Sequence, residues 1–311
     1  MKMMKKLILA FAMAAMAATA QAADDRLKPF VLAEVTTGDV ATVQKQVEKK
    51  LTDAGFEVVG SYSPYKDAAV IAITNNALKQ NAAQSDFGGY GAAQRVSVTK
   101  VGDDVQVSYT HPTYMSHMYR MSGDLAGITA LLEKTLGNQQ TFGSEKGLRV
   151  KKLRKYHYMF GMEYFDDLNM HQLAQYPNHE QALKTVEENL AKGVAGVNQV
   201  YRIEIPGKDE VVFGVSRKQP AQGGDKYMDE SFIMGIIDFK DLKSTAHLPY
   251  EILVSGNKVY HLYARFRIAI NFPDLSMMGS NSFMNIVESP EAIKKALTKV
   301  AGGEVTEGYW Q

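Results

Sequence analysis

Between Val40 and Ala54 the apolar positions Val43, Val47 and Leu51 recur every three or four residues, the spacing that puts one apolar stripe on a helix. Thr37 or Asp39 is placed to cap its start, and Gly55 ends it. Two runs suited to strands follow, Phe56 to Tyr62 and Ala68 to Thr74, separated by Ser63-Pro64-Tyr65-Lys66-Asp67, a turn-forming segment. The second half repeats the plan. Leu183, Val186 and Leu190 form a stripe behind the capping residue Asn178, and Gly193 closes that helix. Gln199 to Ile205 and Val211 to Val215 then flank the turn Pro206-Gly207-Lys208-Asp209.

The correspondence continues beyond the first hairpins. Val98 to Val101 and Val105 to Tyr109 flank Gly102-Asp103-Asp104, as Ile252 to Val254 and Val259 to Tyr263 flank Gly256-Asn257-Lys258. Past Pro112 and Pro273, Ile128, Leu132, Lys134 and Gly137 map onto Ile293, Leu297, Lys299 and Gly302 at a constant offset. A period of about 150 residues is far too long for a solenoid repeat, so it implies two complete domains of one fold. Each reads β-α-β-β, loop, β-β-α. The expected class is α+β, two similar domains, each a mostly antiparallel sheet covered by helices. The units span residues 23–137 and 155–303, with 138–154 as linker and 304–311, which includes the single tryptophan Trp310, as tail. Tyr158, Phe160 and Met162 alternate as a strand face would at the opening of the second unit.

This combination resembles the bacterial domain-of-unknown-function family numbered 302: a helix ending at Ala54-Gly55-Phe56, a hairpin, then the run Leu248-Pro249-Tyr250-Glu251-Ile252-Leu253-Val254. Such domains occur singly and in tandem, and the resemblance brings no established catalytic residue with it. The first unit departs from the pattern, with Gly89-Tyr90-Gly91-Ala92 where the second has Leu248-Pro249-Tyr250-Glu251.

Residues 1–22 form the expected leader. Lys2, Lys5 and Lys6 precede the apolar stretch Leu7 to Met16, and Ala20-Gln21-Ala22 gives the small-residue pattern of a signal-peptidase site. The expectation is therefore a periplasmic protein with its signal peptide cleaved near Ala22, and no later run is long enough to span a bilayer. The chain has no cysteine, which excludes disulfides and thiolate chemistry. Without the three leader lysines, 32 Lys and Arg stand against 34 Asp and Glu, a net charge of −2. A nearly neutral chain has no global attraction to nucleic acid.

Candidate chemistry is sparse. His111, Met115, His117, Met118 and Met121 lie within one short stretch, and imidazole with thioether suits a soft metal such as Cu(I) in a thiol-free chain; methionine filling gaps between domains explains the same spacing. Tyrosine is abundant, 16 residues against 13 Phe. Rings with a polar tip suit a half-wet cleft, which makes Tyr109, Tyr114, Tyr119, Tyr260 and Tyr263 the candidate ligand-binding set. His179-Glu180 opens like a zincin helix, but Leu183 stands where the second histidine belongs. The basic run Arg149 to Lys155 alternates with Val150 and Leu153 as a half-buried strand or helix start would. The leading expectation is a binding or accessory protein that takes a small ligand or copper where its domains meet. An enzyme acting on a small molecule or envelope component, and an interaction protein of the envelope, are the alternatives.

Overall fold

The structure, a computed structural model, describes residues 25–305. The expected leader and Trp310 lie outside the described residues. Two antiparallel sheets pack face to face, and helices cover both outer faces. In the first half, β2 (Phe30–Thr37), α1 (Val40–Asp53), β3 (Glu57–Tyr62), β4 (Ala68–Thr74), α2 (Asn76–Ala83), β5 (Gln94–Val101), β6 (Asp104–Thr110), α3 (Pro112–Met118) and α4 (Ala126–Leu136) follow one another. Their sheet runs β3-β4-β5-β6-β2 and gains an edge strand, β7 (Gln140–Phe142). In the second half come β9 (Gln172–Gln175), α7 (His179–Ala191), β10 (Val197–Glu204), β11 (Glu210–Arg217), α8 (Glu230–Ile237), β12 (Tyr250–Ser255), β13 (Lys258–His261), α9 (Ala264–Asn271) and α10 (Ser289–Val300). Their sheet runs β10-β11-β12-β13-β9, so helices and strands follow the same order in both halves.

The local reasons are those the sequence offers. Asp39 caps α1 by accepting from the Thr42 amide at 2.8 Å, and Asn178 caps α7 through the Gln181 amide. Gly102 and Gly256 take positive φ in the two tight turns, which glycine does without steric cost. The helical stripes bury Val43, Val47 and Leu51 in α1 and Ala182, Val186 and Leu190 in α7. Leu183 is only partly buried because Ala182 faces the sheet in its place.

Other segments differ from the sequence expectation. The stretch expected as a loop between the hairpins carries a helix in each half, α2 and α8, and the segment after each second hairpin carries another, α3 and α9. Pro112 starts α3 whereas Pro273 follows α9, so these prolines are not equivalent. Residues 158–162 form turns rather than a strand; Phe160 at their tip is almost fully exposed. Part of the linker joins the sheet as β7, and Leu148–Arg149 (β8) pairs with Arg26–Leu27 (β1). The basic run continues as a single turn, α5 (Val150–Leu153), with Leu153 buried.

Between the sheets lies a mixed layer. Tyr201, Ile203, Val212, Leu253 and Tyr260 face inward from the second sheet. The opposing face of the first sheet presents Arg95, Ser97 and Thr99 from β5 and Gln106, Ser108 and Thr110 from β6, all buried. The contacts are reciprocal. The single-turn helix Gly88–Gly91 of the first half lies on the second sheet, where Gly89 donates to Glu210 at 2.7 Å. Its counterpart Thr245–His247 lies on the first sheet, where Thr245 bonds Thr99 and Tyr65, each at 2.8 Å. Edge strands β3 and β10 meet most closely at Gly60, where any β-carbon would collide with the Val200 carbonyl. Gly60→Ala should therefore cost about 2 kcal/mol or more, the usual scale of overpacking. Gly235→Ala, on the exposed face of α8 with nothing near, should gain about 0.5–1 kcal/mol. Urea unfolding of the two variants measures both signs.

Candidate functional site

A charged cluster crosses the layer between the sheets. Arg95 on β5 pairs with Glu251 on β12, and Arg267 on α9 reaches the same carboxylate through Nε at 3.2 Å. All three side chains are buried. The second Arg267 amino group donates to the His247 and Pro249 carbonyls at 2.8 and 3.2 Å. Burial disfavours the Arg95 charge, yet the adjacent Glu251 keeps its pKa above the ordinary value. Farther along, Tyr62 of the first half donates to Glu230 at 3.1 Å, with Arg217 3.7 Å from the same carboxyl group. This cluster holds the halves together and is closed to solvent.

The opening that suits a ligand lies beside it. A cleft of about 410 Å³ is walled by Gln84 to Phe87, Arg120 and Ser122 of the first half and by Phe165, Asp166 and Leu168 of the second. Two wall residues, Phe87 and Arg120, have left-handed backbone with φ of 51° and 49°. Arg120 follows the end of α3, where its amide bonds the His117 carbonyl and the Met121 amide bonds the Ser116 carbonyl at 2.8 Å. This is the terminating turn in which glycine is usual. An arginine there stores roughly 1 kcal/mol of strain. Its side chain pairs with Asp166 across the cleft, its carbonyl accepts from Arg154 at 3.0 Å, and its buried Nε has no hydrogen-bond partner. Behind the wall, Phe87 meets Tyr260 edge to face at 5.2 Å, and Phe165 lies 5.9 Å from Tyr119 and 6.2 Å from Tyr90. Tyr90 carries a buried hydroxyl without a partner, and the Tyr119 hydroxyl lies beside Arg95.

The five candidate tyrosines divide between layers. Tyr114, Tyr119 and Tyr260 sit between the sheets, Tyr114 bonding the Ile270 carbonyl at 2.7 Å. Tyr109 instead packs under the helices of the first half and bonds Gly137, while Tyr263 bonds Glu291 on the outer side of the second. The metal candidates divide as well. Met115, Met118 and Met121 fill the apolar layer beside Tyr114 and Tyr119. His111 caps α3, its Nδ1 accepting from the Tyr114 amide at 3.4 Å with Glu133 nearby, whereas His117 faces Arg154 and Asp124. Among the described residues, no three His, Asp or Glu side chains converge in a metal-holding group.

Sequence reasoning missed Arg95, Glu251, Arg267, Phe87, Arg120 and Phe165. A signal for two of them was present, because Glu251 and Arg267 each interrupt an apolar run and a charge in such a place needs a buried partner. A larger opening of about 530 Å³ lies at the other end of the junction, lined by Phe142, Phe239, Phe272, Lys28 and Lys240 among others. Two of its carboxylates serve the fold: Asp238 accepts the Ser244 amide with both oxygens, and Asp274 accepts from Ser144 and Glu145.

Removing the shared carboxylate with Glu251→Gln leaves two buried guanidiniums uncompensated and should cost about 3–5 kcal/mol in denaturant unfolding. Stability should also depend on pH with two limbs. Burial raises Glu230 and Asp238 to about 7, so their contribution, complete below the unfolded carboxyl pKa, is lost as pH rises to 7 and beyond. Burial holds His247 and His261 well below 6.5, so their contribution is present above 6.5 and lost as pH falls beneath it. Unfolding free energy should therefore peak at mildly acidic pH, and Glu230→Gln should reduce the alkaline limb to the Asp238 share while leaving the acid limb unchanged. Scans against protein-family models, curated proteins and solved structures find no match for the chain.

Proposed function

We propose that this is a non-catalytic, exported binding protein that holds a small molecule in the cleft shared by its halves. The observation that carries the reading is the strained Arg120, set in the wall of a two-sided cleft where glycine would make the fold more stable. Strain of this kind persists where a side chain is needed in one place. Phe87, Phe165 and Leu168 offer an apolar wall, while Arg120, Ser122, Asp86 and Asp166 offer polar and charged groups, the mixture typical of ligand pockets. A ligand with a flat apolar body and a carboxylate or similar acid fits that chemistry, its acid competing with Asp166 for the guanidinium. Export is supported by the leader-like start of the chain, and kinship with the domain-of-unknown-function family numbered 302 by the residues quoted above.

Arg120→Gly separates fold from function. It should stabilise the protein by about 1 kcal/mol, or leave it unchanged if the lost Asp166 pair offsets the relief. It should also weaken binding of aromatic carboxylates tenfold or more, as read by ligand-observed NMR titration. Equal affinity in the two proteins, or binding unaltered by Ser122→Trp in the cleft, would reject the reading.

A further inference from the structure

Among the described residues, eighteen buried side-chain nitrogen and oxygen atoms lack a hydrogen-bond partner, and the densest group surrounds Tyr250. Arg217 lies 3.9 Å and Arg267 5.4 Å from the centre of the Tyr250 ring, and His247 meets the same ring edge to face at 5.2 Å. Nη1 of Arg217, Nη1 of Arg267 and the Tyr250 hydroxyl are buried without a hydrogen-bond partner, whereas Arg217 Nε faces Glu230 Oε1 at 3.7 Å and the His247 ring has the Asn271 side chain beside it. Arg217, Arg267 and His247 are 2% exposed or less. Native interiors rarely leave such groups unpaired, because each costs free energy comparable to a lost hydrogen bond.

The charges do not balance either. Arg95, Arg217 and Arg267 stand against Glu230 and Glu251, three guanidiniums against two carboxylates, so one positive charge remains even with both acids ionised. The other charged groups nearby do not correct this. Lys294 adds positive charge on the His261 side, and Asp238 is turned toward Ser244. An unpaired buried cation is a larger penalty than any neutral orphan.

We propose that the interior of the second half encloses one small monovalent inorganic anion, held by Arg217 and Arg267 beside Tyr250. The excess of one charge selects a monovalent ion. The two arginine Nη1 groups are N–H donors, which an anion satisfies and a cation cannot. Enclosure selects a compact one, of chloride size, acquired as the chain folds. This site is separate from the ligand cleft and does not depend on it.

The test uses the full mature chain, unfolded and refolded by dialysis at constant ionic strength and pH in sodium chloride, sodium bromide or sodium gluconate. Tm should rise saturably, by about 4 °C over a hundredfold increase in chloride, and bromide should match chloride although general salt effects rank it lower. Crystals of the bromide-refolded protein should show an anomalous peak within contact distance of Arg217 and Arg267. Arg217→Met, which removes the excess charge, should lose the anion dependence of Tm; the anomalous peak decides the matter if that variant does not fold. Equal Tm in chloride and gluconate together with water alone at the site would overturn the proposal.

Discussion

One buried carboxylate shared by two guanidiniums sets how the halves meet. Glu251 sits on the inner face of the second sheet, Arg95 on the inner face of the first, and Arg267 closes the pair from α9. Ion pairs of this kind add little net stability, because desolvation offsets most of their attraction. Their effect is on register. Any sliding of one sheet over the other would leave three charges buried without partners, so only one relative placement is tolerable. The hydrogen bonds from Gly89 to Glu210, from Thr99 to Thr245 and from Tyr62 to Glu230 meet their partners only in that placement.

That placement also creates the cleft. The wall carrying Phe87 and Arg120 belongs to the first half, and the wall carrying Phe165 and Asp166 belongs to the second. Neither is a site alone. The rings of Tyr90, Tyr119 and Phe165, tilted or edge-on to one another, fill the space behind it and give it an apolar floor. The α+β core and the outer helices supply stability, and the junction, where polar and charged groups are concentrated, is where strain and unpaired donors collect.

Much of the secondary structure was legible, and the site mostly was not. The amphipathic stripes of α1 and α7, the Asp39 and Asn178 caps and the glycine turns at Gly102 and Gly256 all rest on local physics that any window of the chain contains. The helices α2 and α8 were missed because their short apolar runs lack a full helical period. Of the tyrosines picked for their chemistry, Tyr114, Tyr119 and Tyr260 lie near the cleft, but Tyr109 and Tyr263 point to the outer layers, since residue type carries no information about which face of a sheet looks where. Arg120 could not be found from its neighbours at all, because its backbone strain exists only in the folded turn.

The sequence by itself determined the strands of the two hairpins in each half, the helices with clear periods, the tight turns and the alternation of β5 and β6 into an apolar and a polar face. It could not say that the polar face, with Arg95, Ser97, Thr99, Gln106 and Ser108, would be buried. Alternation ordinarily means one wet side, and only the arrival of the second half gives the larger of those polar groups partners: Glu251 for Arg95, Thr245 for Thr99 and the backbone of Asp241 and Lys243 for Gln106. Hydrophobic pattern is a property of neighbours along the chain, whereas pairing of buried charges depends on residues roughly 150 positions apart, and folding alone brings those together.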